Sequence, residues 1–408
     1  MSEEKKKLKI LACPANKGGC AYYRVIMPME KLAELYPDDV EVRFNYDPLD
    51  AEGAKNRDGK LLPAKECEDM NWCDIVFFQN IHNYGGPYTV DILRYAKELN
   101  KFTHYDTDDL LTELYEGHRL IDVYKEQKLD EMTKVMYANA DMVSVTQRKF
   151  AERIQEYVGK ALVIIKNSID YKLPCWNAPK MELPSRMNKH TRIGWAGGIH
   201  HEEDVKEFRS VAMGVNSKVG YHNVTWNFFG RPPKGGAEKD DWQQEVWDNY
   251  EKSLSFGVKD NKNVLFHGAM ASDQYGLMFR GLDIAIAPLQ MNAFNDSKSE
   301  IKAMEAGRFG IPLVASDVGC YDEIIKNGET GYLIPSDNPR SEWVKVLTKL
   351  CKDKDLRNHL GSNLKKITDE YYDINKVVGG RVELYRQVMD IKEKATANSK
   401  YKGLPGSE

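Results

Sequence analysis

The residues able to do chemistry fall in short clusters, each following an apolar run. In "HYDTDDLL" (104–111), Asp106, Asp108 and Asp109 stand close together. Such a group can hold a divalent metal, position a sugar hydroxyl or cap the next helix, and no further oxygen ligands for a metal stand nearby. In "CPANKGGCAYYR", Gly18-Gly19 leads into a helix bearing Tyr22, Tyr23 and Arg24. Paired glycines let backbone approach a ligand, and a helix start offers N–H groups to an anion. The Gly-Lys-Ser/Thr ending of a P-loop and the G-x-G-x-x-G spacing are both absent.

The same plan recurs in "RIGWAGGIHHEEDVKEF", where Gly197-Gly198 precedes His200, His201, Glu202, Glu203 and Asp204. The His-Glu-x-x-His spacing of a zinc helix is missing, so an acid-rich first turn is the plain reading and His201 rises above it. Gly230 and Arg231 end "NFFGR", and arginine at such a rim can clamp phosphate with two parallel hydrogen bonds. Phe266, His267 and Gly268 end "VLFHG", where backbone groups can read a nucleobase edge or simply turn the chain. In "NDSKSEIKAMEAGRFGIPLVAS" (295–316), Ser297 and Glu300 have capping-box spacing. At about 100° per residue, Lys298 and Glu305 then share one helical stripe with apolar neighbours. Glu305 is either a solvated edge residue or a ligand group.

The elements that must position these clusters are legible as well. Apolar runs suited to strands lie at 8–13, 40–44, 75–79, 102–105, 142–145 and 162–165, and again at 192–196, 226–229, 264–266, 284–287, 313–315 and 332–334. Helical patterns separate them, which predicts parallel sheets covered by helices, with ligands beyond the carboxyl ends of the strands. The proline-rich stretch 173–190 reads as a connection between two domains, 1–172 and 191–370. A helix over 371–395 has the option of packing back on the first domain, and 396–408 reads as a frayed tail.

With 408 residues, 42% of them hydrophobic, the chain can fill two cores. A net charge of −4 without long like-charge blocks gives no support for nucleic-acid binding. Seven cysteines without a Cys-x-x-Cys pair suggest neither a zinc site nor a disulfide framework. No signal peptide or membrane-spanning run is visible, so the expectation is a cytoplasmic protein, in the host cytoplasm if viral.

Two similar α/β halves, each with an early glycine turn, and the 298–316 segment make the chain resemble GT-B glycosyltransferases of the retaining family-4 type. The variant seen in bacteria and phages is the nearer one. "GWAGGIHHEEDV" is similar to that group's glycine turn with its His and Asp, "YDTDDLL" to a Tyr-Asp-x-Asp-Asp segment, and "GGCAYYRVIMPMEKL" to the opening loop. The resemblance implies two Rossmann-like domains whose parallel sheets face a central cleft. It also implies an enzyme moving a sugar from a nucleotide-diphospho-sugar, with retention, no metal and no further cofactor. Of the two glutamates that the family spaces eight positions apart, Glu305 matches the ribose-binding one, while Ser297 stands at the sugar-contacting position.

On this reading the donor meets Gly197, Gly198, His201, Arg231, Phe266, Gly268, Ser299 and Glu305, with Lys298 catalytic at the diphosphate. The acceptor meets Gly18, Gly19, Tyr23, Arg24 and Asp108, with Asp106 orienting it or removing its proton. Glycan, small molecule, protein and modified phage DNA bases all remain open as acceptors. The rival readings are an epimerase or hydrolase of the same fold and a nucleotide-sugar-binding protein without catalysis.

Overall fold

All twelve expected strands are present in a computed structural model, their ends within two residues of expectation, and they form two six-stranded sheets. The model describes residues 6–49, 68–184, 187, 189–198, 201–206, 208–231, 245, 247–249, 251–252, 263–337 and 339–401. His200 and residues 402–408 of the expected tail lie outside the described residues, as do 185, 186 and 188 of the expected connection.

The first sheet comprises β1 (Leu8–Cys13), β2 (Val40–Phe44), β3 (Ile75–Gln79), β4 (Phe102–Asp106), β5 (Met142–Val145) and β6 (Ala161–Ile164), in the order β2-β1-β3-β4-β5-β6. The second comprises β7 (Thr191–Ala196), β8 (Val224–Arg231), β9 (Val264–Gly268), β10 (Ile284–Ala287), β11 (Leu313–Ser316) and β12 (Gly331–Ile334), in the order β12-β11-β10-β7-β8-β9. Every strand pair is parallel. Central strands buried on both faces are written as unbroken apolar runs, as in the fully buried "IVFFQ" of β3.

Chain direction across each sheet locates its crevice. The first sheet reverses between β1 and β3, the second between β7 and β10, and ligands of open parallel sheets bind beyond the strand ends at such a reversal. The loops after these four strands are therefore the places where each sheet presents its chemistry.

Packing divides the chain into two units, one of residues 1–114, 120–168 and 374–408, the other of 115–119 and 169–373. The core of the second unit is aromatic: Trp226 and Trp247 are fully buried among Ile193, Phe208, Phe228 and Trp343. Trp226 donates its indole N–H to Asn216, so the ring is buried without an orphaned donor. Within the first unit the helix Gly380–Tyr401 is fastened by polar contacts: Arg386 to Asp39 at 3.0 Å, Lys392 to Asp141 at 2.8 Å, and Tyr385 to His104 at 2.9 Å.

Candidate functional site

On the first sheet, a five-residue π-helical turn, Tyr22–Ile26, interrupts the helical run between Gly19 and Leu35. Such turns rotate side chains out of the α-helical register. Here Arg24 is carried inward, buried, onto the end of β4. Its Nε and Nη2 donate to the two oxygens of Asp106 at 3.0 and 2.6 Å, and Nη1 donates to the Ile165 carbonyl at 2.6 Å and to Asn167. The pairing is bidentate and both side chains are almost fully buried. Burial pushes the Asp106 carboxyl up, but Arg24, His104 and Ser144 together outweigh it and leave the group below its ordinary value.

Behind this pair, Ser144 donates to Asp106 and shares a 2.7 Å hydrogen bond with His104 Nε2, while His104 Nδ1 meets Tyr385. His104 stacks on Phe77 at 4.3 Å. Burial lowers its pKa to about 3, so the imidazole is neutral at physiological pH.

Asp108 differs from Asp106. It accepts from Asn80 at 2.7 Å, and burial together with the neighbouring Asp109 raises its pKa. Two carboxylates two residues apart at the end of β4 are thus driven apart in acidity. The loop after β3 adds buried polar atoms that have no partner among the described residues: both ends of the Gln79 amide, Asn80 Oδ1 and His82 Nε2. His82 Nδ1 accepts from the Tyr84 amide at 3.2 Å, which makes Nε2 the protonated nitrogen. Asn80 holds a left-handed φ of 46°, uncommon for a non-glycine residue. Asn83 N–H donates to the Ala15 carbonyl, tying this loop to the one after β1.

On the second sheet, two glycines let two loops touch. Gly230 has φ 122°, and a Cβ there would collide with the Gly197 carbonyl. A Cβ on Gly197 would enter the Trp195 ring, whereas one on Gly198 would meet no heavy atom within 4 Å among the described residues. Asp204 then ties the β7 side of the crevice to the β10 side. One oxygen meets His201 Nδ1 at 2.7 Å, and the other accepts from the Gln290 amide and the Asn295 side chain, both at 2.8 Å. Because a carboxylate only accepts, His201 Nδ1 carries the proton, and in the neutral ring Nε2 is an acceptor.

The helix bearing Glu305 begins later than the capping-box spacing suggests. It runs Ile301–Arg308, with Glu300 at its N-cap making no side-chain cap bond. Ser297 closes the preceding turn, Ala293–Asp296, and donates to the Ala293 carbonyl. Glu300 is buried and engages Tyr372 at 2.6 Å and Cys320 at 3.1 Å, so its role is tertiary. Lys298 consequently lies off the helix, its ammonium 4.4 Å from the centroid of Phe294, a ring that also packs against Tyr115 and His118. The lysine beside Glu305 is Lys302, at 2.9 Å and at the i,i+3 spacing, and it also donates to Tyr275 at 2.8 Å. Burial alone would lower the Lys302 pKa, yet Glu305 and Tyr275 reverse this and raise it. Glu305 itself is fully buried.

Several expected site residues are therefore already engaged. Arg231 forms a 2.5 Å ion pair with Glu251. Phe266 packs flat against Phe228 at 5.7 Å, and His267 stacks on Phe229 at 4.4 Å while bonding Asn227. Asp106, expected to orient the acceptor or remove its proton, is held on both oxygens by Arg24 and also accepts from Ser144. Missed altogether were Lys302, Tyr275, His118, Gln79 and His82. Only Lys302 carried a signal, its i,i+3 spacing to Glu305. Among the described residues, no group of three or more His, Cys, Asp or Glu side chains is arranged to hold a metal ion, and no helix is long and apolar enough to cross a membrane.

The fold has close counterparts among solved structures. Sucrose-phosphate synthase from Thermosynechococcus elongatus superposes with a TM-score of 0.66, covering 95% of this chain and all of that one at 13% identity. Anabaena HepE, solved with UDP and glucose, superposes at 0.62 over 93% of this chain and 99% of its own, at 16% identity. In sequence, an uncharacterized glycosyltransferase of Methanocaldococcus jannaschii is 26% identical over 253 residues, 57% of this chain and 67% of its own length. A D-inositol 3-phosphate glycosyltransferase of Streptomyces bingchenggensis is 25% identical over 34% of this chain, a match that spans only 29% of that relative. The chain is a glycosyltransferase with the GT-B fold. Residues 238–367 match the family model of the glycosyl transferases group 1.

Proposed function

We propose that this glycosyltransferase takes its sugar from a nucleotide-diphospho-sugar bound on the second sheet and delivers it, with retention and without metal, to a hydroxyl-bearing acceptor bound on the first. One observation carries the reading. Asp204 joins the loops after β7 and β10 at the sheet reversal, next to a glycine turn where a Cβ on Gly198 would meet none of the described residues within 4 Å, and upstream of the helix bearing Glu305.

Departure of a diphosphate needs fixed positive charge and donors more than a strong nucleophile. Lys298, Ser299 and the amides opening the Ile301–Arg308 helix would supply them. Arg231 would join only by exchanging Glu251 for phosphate. Glu305 would accept from the ribose hydroxyls while Lys302 holds its charge in place. Gly197, His201, Phe266 and Gly268 complete the donor assignment, and the UDP found with the Anabaena neighbour makes uridine diphosphate the first nucleotide to test.

For the acceptor, Gly18, Gly19 and Tyr23 would line the approach. The buried polar atoms of Gln79, Asn80 and His82 that lack a partner among the described residues suit a hydroxylated ligand. Asp108, its pKa raised, is the carboxylate fitted to take up a proton, with Arg24 and Asp106 holding the frame. Glycan, small molecule, protein and modified DNA base all offer such a hydroxyl. Ser297, where the retaining family-4 pattern has a glutamate, favours a second reading: a nucleotide-sugar-binding protein that does not catalyse.

Radiolabelled UDP-, GDP- and ADP-sugars tested against an acceptor panel decide between them. Transfer with the donor's anomeric configuration supports the first reading, and saturable donor binding without transfer supports the second. Absence of donor binding would remove both.

A further inference from the structure

A cavity of about 350 Å³ opens at the end of the second sheet where its strands start. Arg192 comes from the beginning of β7 and Asp283 from just before β10. Lys180 and His190 come from the segment preceding β7, and Lys354 and Arg357 from the first turn of the helix Lys354–Tyr371. This is the opposite end of the strands from the loops assigned to the donor.

The charges lining it do not balance. Asp283 is consumed by Arg192, which holds it through its backbone amide at 2.9 Å and its guanidinium at 3.0 and 3.1 Å. Arg357 is buried and donates to the carbonyls of Leu350 and Cys351, with no carboxylate partner among the described residues. Lys180 and Lys354 likewise have no ion-pair partner among them. Against these three cations stands a single acid, the exposed Glu182. Positive charge gathered around a buried arginine is costly without a counter-charge, and here a helix start adds its own positive end. Burial is the chief cause that lowers the Lys180 pKa, with Asp283 and Glu182 opposing it and Arg192 and Arg357 adding to it.

We propose that this cavity is an anion site for a phosphate dianion, free or carried on a small molecule, held by Lys180, Lys354 and Arg357 at the opening turn of the Lys354–Tyr371 helix. A water molecule occupies about 30 Å³ of liquid, so the volume exceeds what bare phosphate needs and leaves room for a small organic body. His190 and Asn358 are the polar groups available to it. Because Lys180 precedes β7 and Lys354 follows the sheet, an occupant would cross-link two segments of the unit that are 174 residues apart.

The test is calorimetric titration of the full chain with sodium phosphate and with a hexose 6-phosphate, in chloride buffers of matched ionic strength. It compares wild type with Lys180→Ala/Lys354→Ala and with Lys298→Ala, and circular dichroism verifies each fold. Single Lys354→Gln, at an exposed position, serves if the double variant does not fold. Saturable binding weakened at least tenfold in the double variant, or clearly in Lys354→Gln, and kept in Lys298→Ala is the expected result. Tighter binding of the hexose phosphate assigns the site to a phosphorylated small molecule, and equal binding assigns it to free phosphate. No saturable binding beyond chloride, equal affinity in the cavity variants, or loss in Lys298→Ala instead would overturn the proposal.

Discussion

Protonating the medium around His104 should weaken the first unit in a calculable way. The imidazole is fully buried, stacked on Phe77 and hydrogen-bonded on both nitrogens, and its pKa falls from the ordinary 6.5 to about 3, chiefly through burial. In the unfolded chain it protonates near 6.5. The depressed folded value means that stability is complete above that pH and is lost as pH falls from there toward about 3, since only the unfolded state gains the proton in that window. Between about pH 7 and about pH 5, linkage gives a loss of about 2 kcal/mol from this residue alone. Urea unfolding at the two pH values, with hydrogen exchange of the β3 and β4 amides reporting the first unit, measures it for wild type and His104→Phe. The variant keeps a ring on Phe77 but cannot titrate. It should be less stable at both pH values, because Ser144 and Tyr385 lose a partner, yet its pH dependence should be smaller by about 2 kcal/mol. Equal losses in the two proteins would refute the buried neutral imidazole that links Tyr385 to Ser144.

Other perturbations follow from the same contacts. Removing one member of the buried Arg24–Asp106 pair, as in Asp106→Ala, should cost about 3–5 kcal/mol by strandedness of the other charge, measured by urea unfolding; a cost under about 1 kcal/mol would mean the pair is solvated. Gly230→Ala should destabilise the second unit by more than about 1 kcal/mol, given its positive φ and the Gly197 carbonyl in the way, whereas Gly198→Ala should leave stability unchanged and alter donor binding. Tyr385→Phe should cost about 1 kcal/mol with transfer activity retained, because it removes one neutral hydrogen bond and no substrate contact.

What was legible from sequence, and what was not, divides along physical lines. Parallel strands buried on both faces are spelled as apolar runs, so β1, β3 and β10 could be placed without the structure. Helix starts depend on which side chain finds which partner. Ser297 and Glu300 have capping-box spacing, but Glu300 is drawn away by Tyr372 and Cys320, 72 and 20 residues distant, and the helix starts after it. That displacement removed Lys298 from the Glu305 stripe and gave the place to Lys302. The Arg24–Asp106 pair joins residues 82 positions apart through a π-helical turn, and no local pattern encodes it. The unmet Gln79 amide and His82 Nε2, without partners among the described residues, were invisible because an unmet hydrogen bond is a property of surroundings.

The account turns on Glu305 as a donor ligand. Titrating UDP and UDP-sugars into wild type and Glu305→Gln, which keeps the side chain's shape and a hydrogen-bond acceptor beside Lys302, tests this most directly. Saturable binding by wild type, weakened about tenfold or more in a variant that still folds, is the predicted result, in line with the loss of a charge-assisted hydrogen bond. Equal affinity in the two proteins would contradict it.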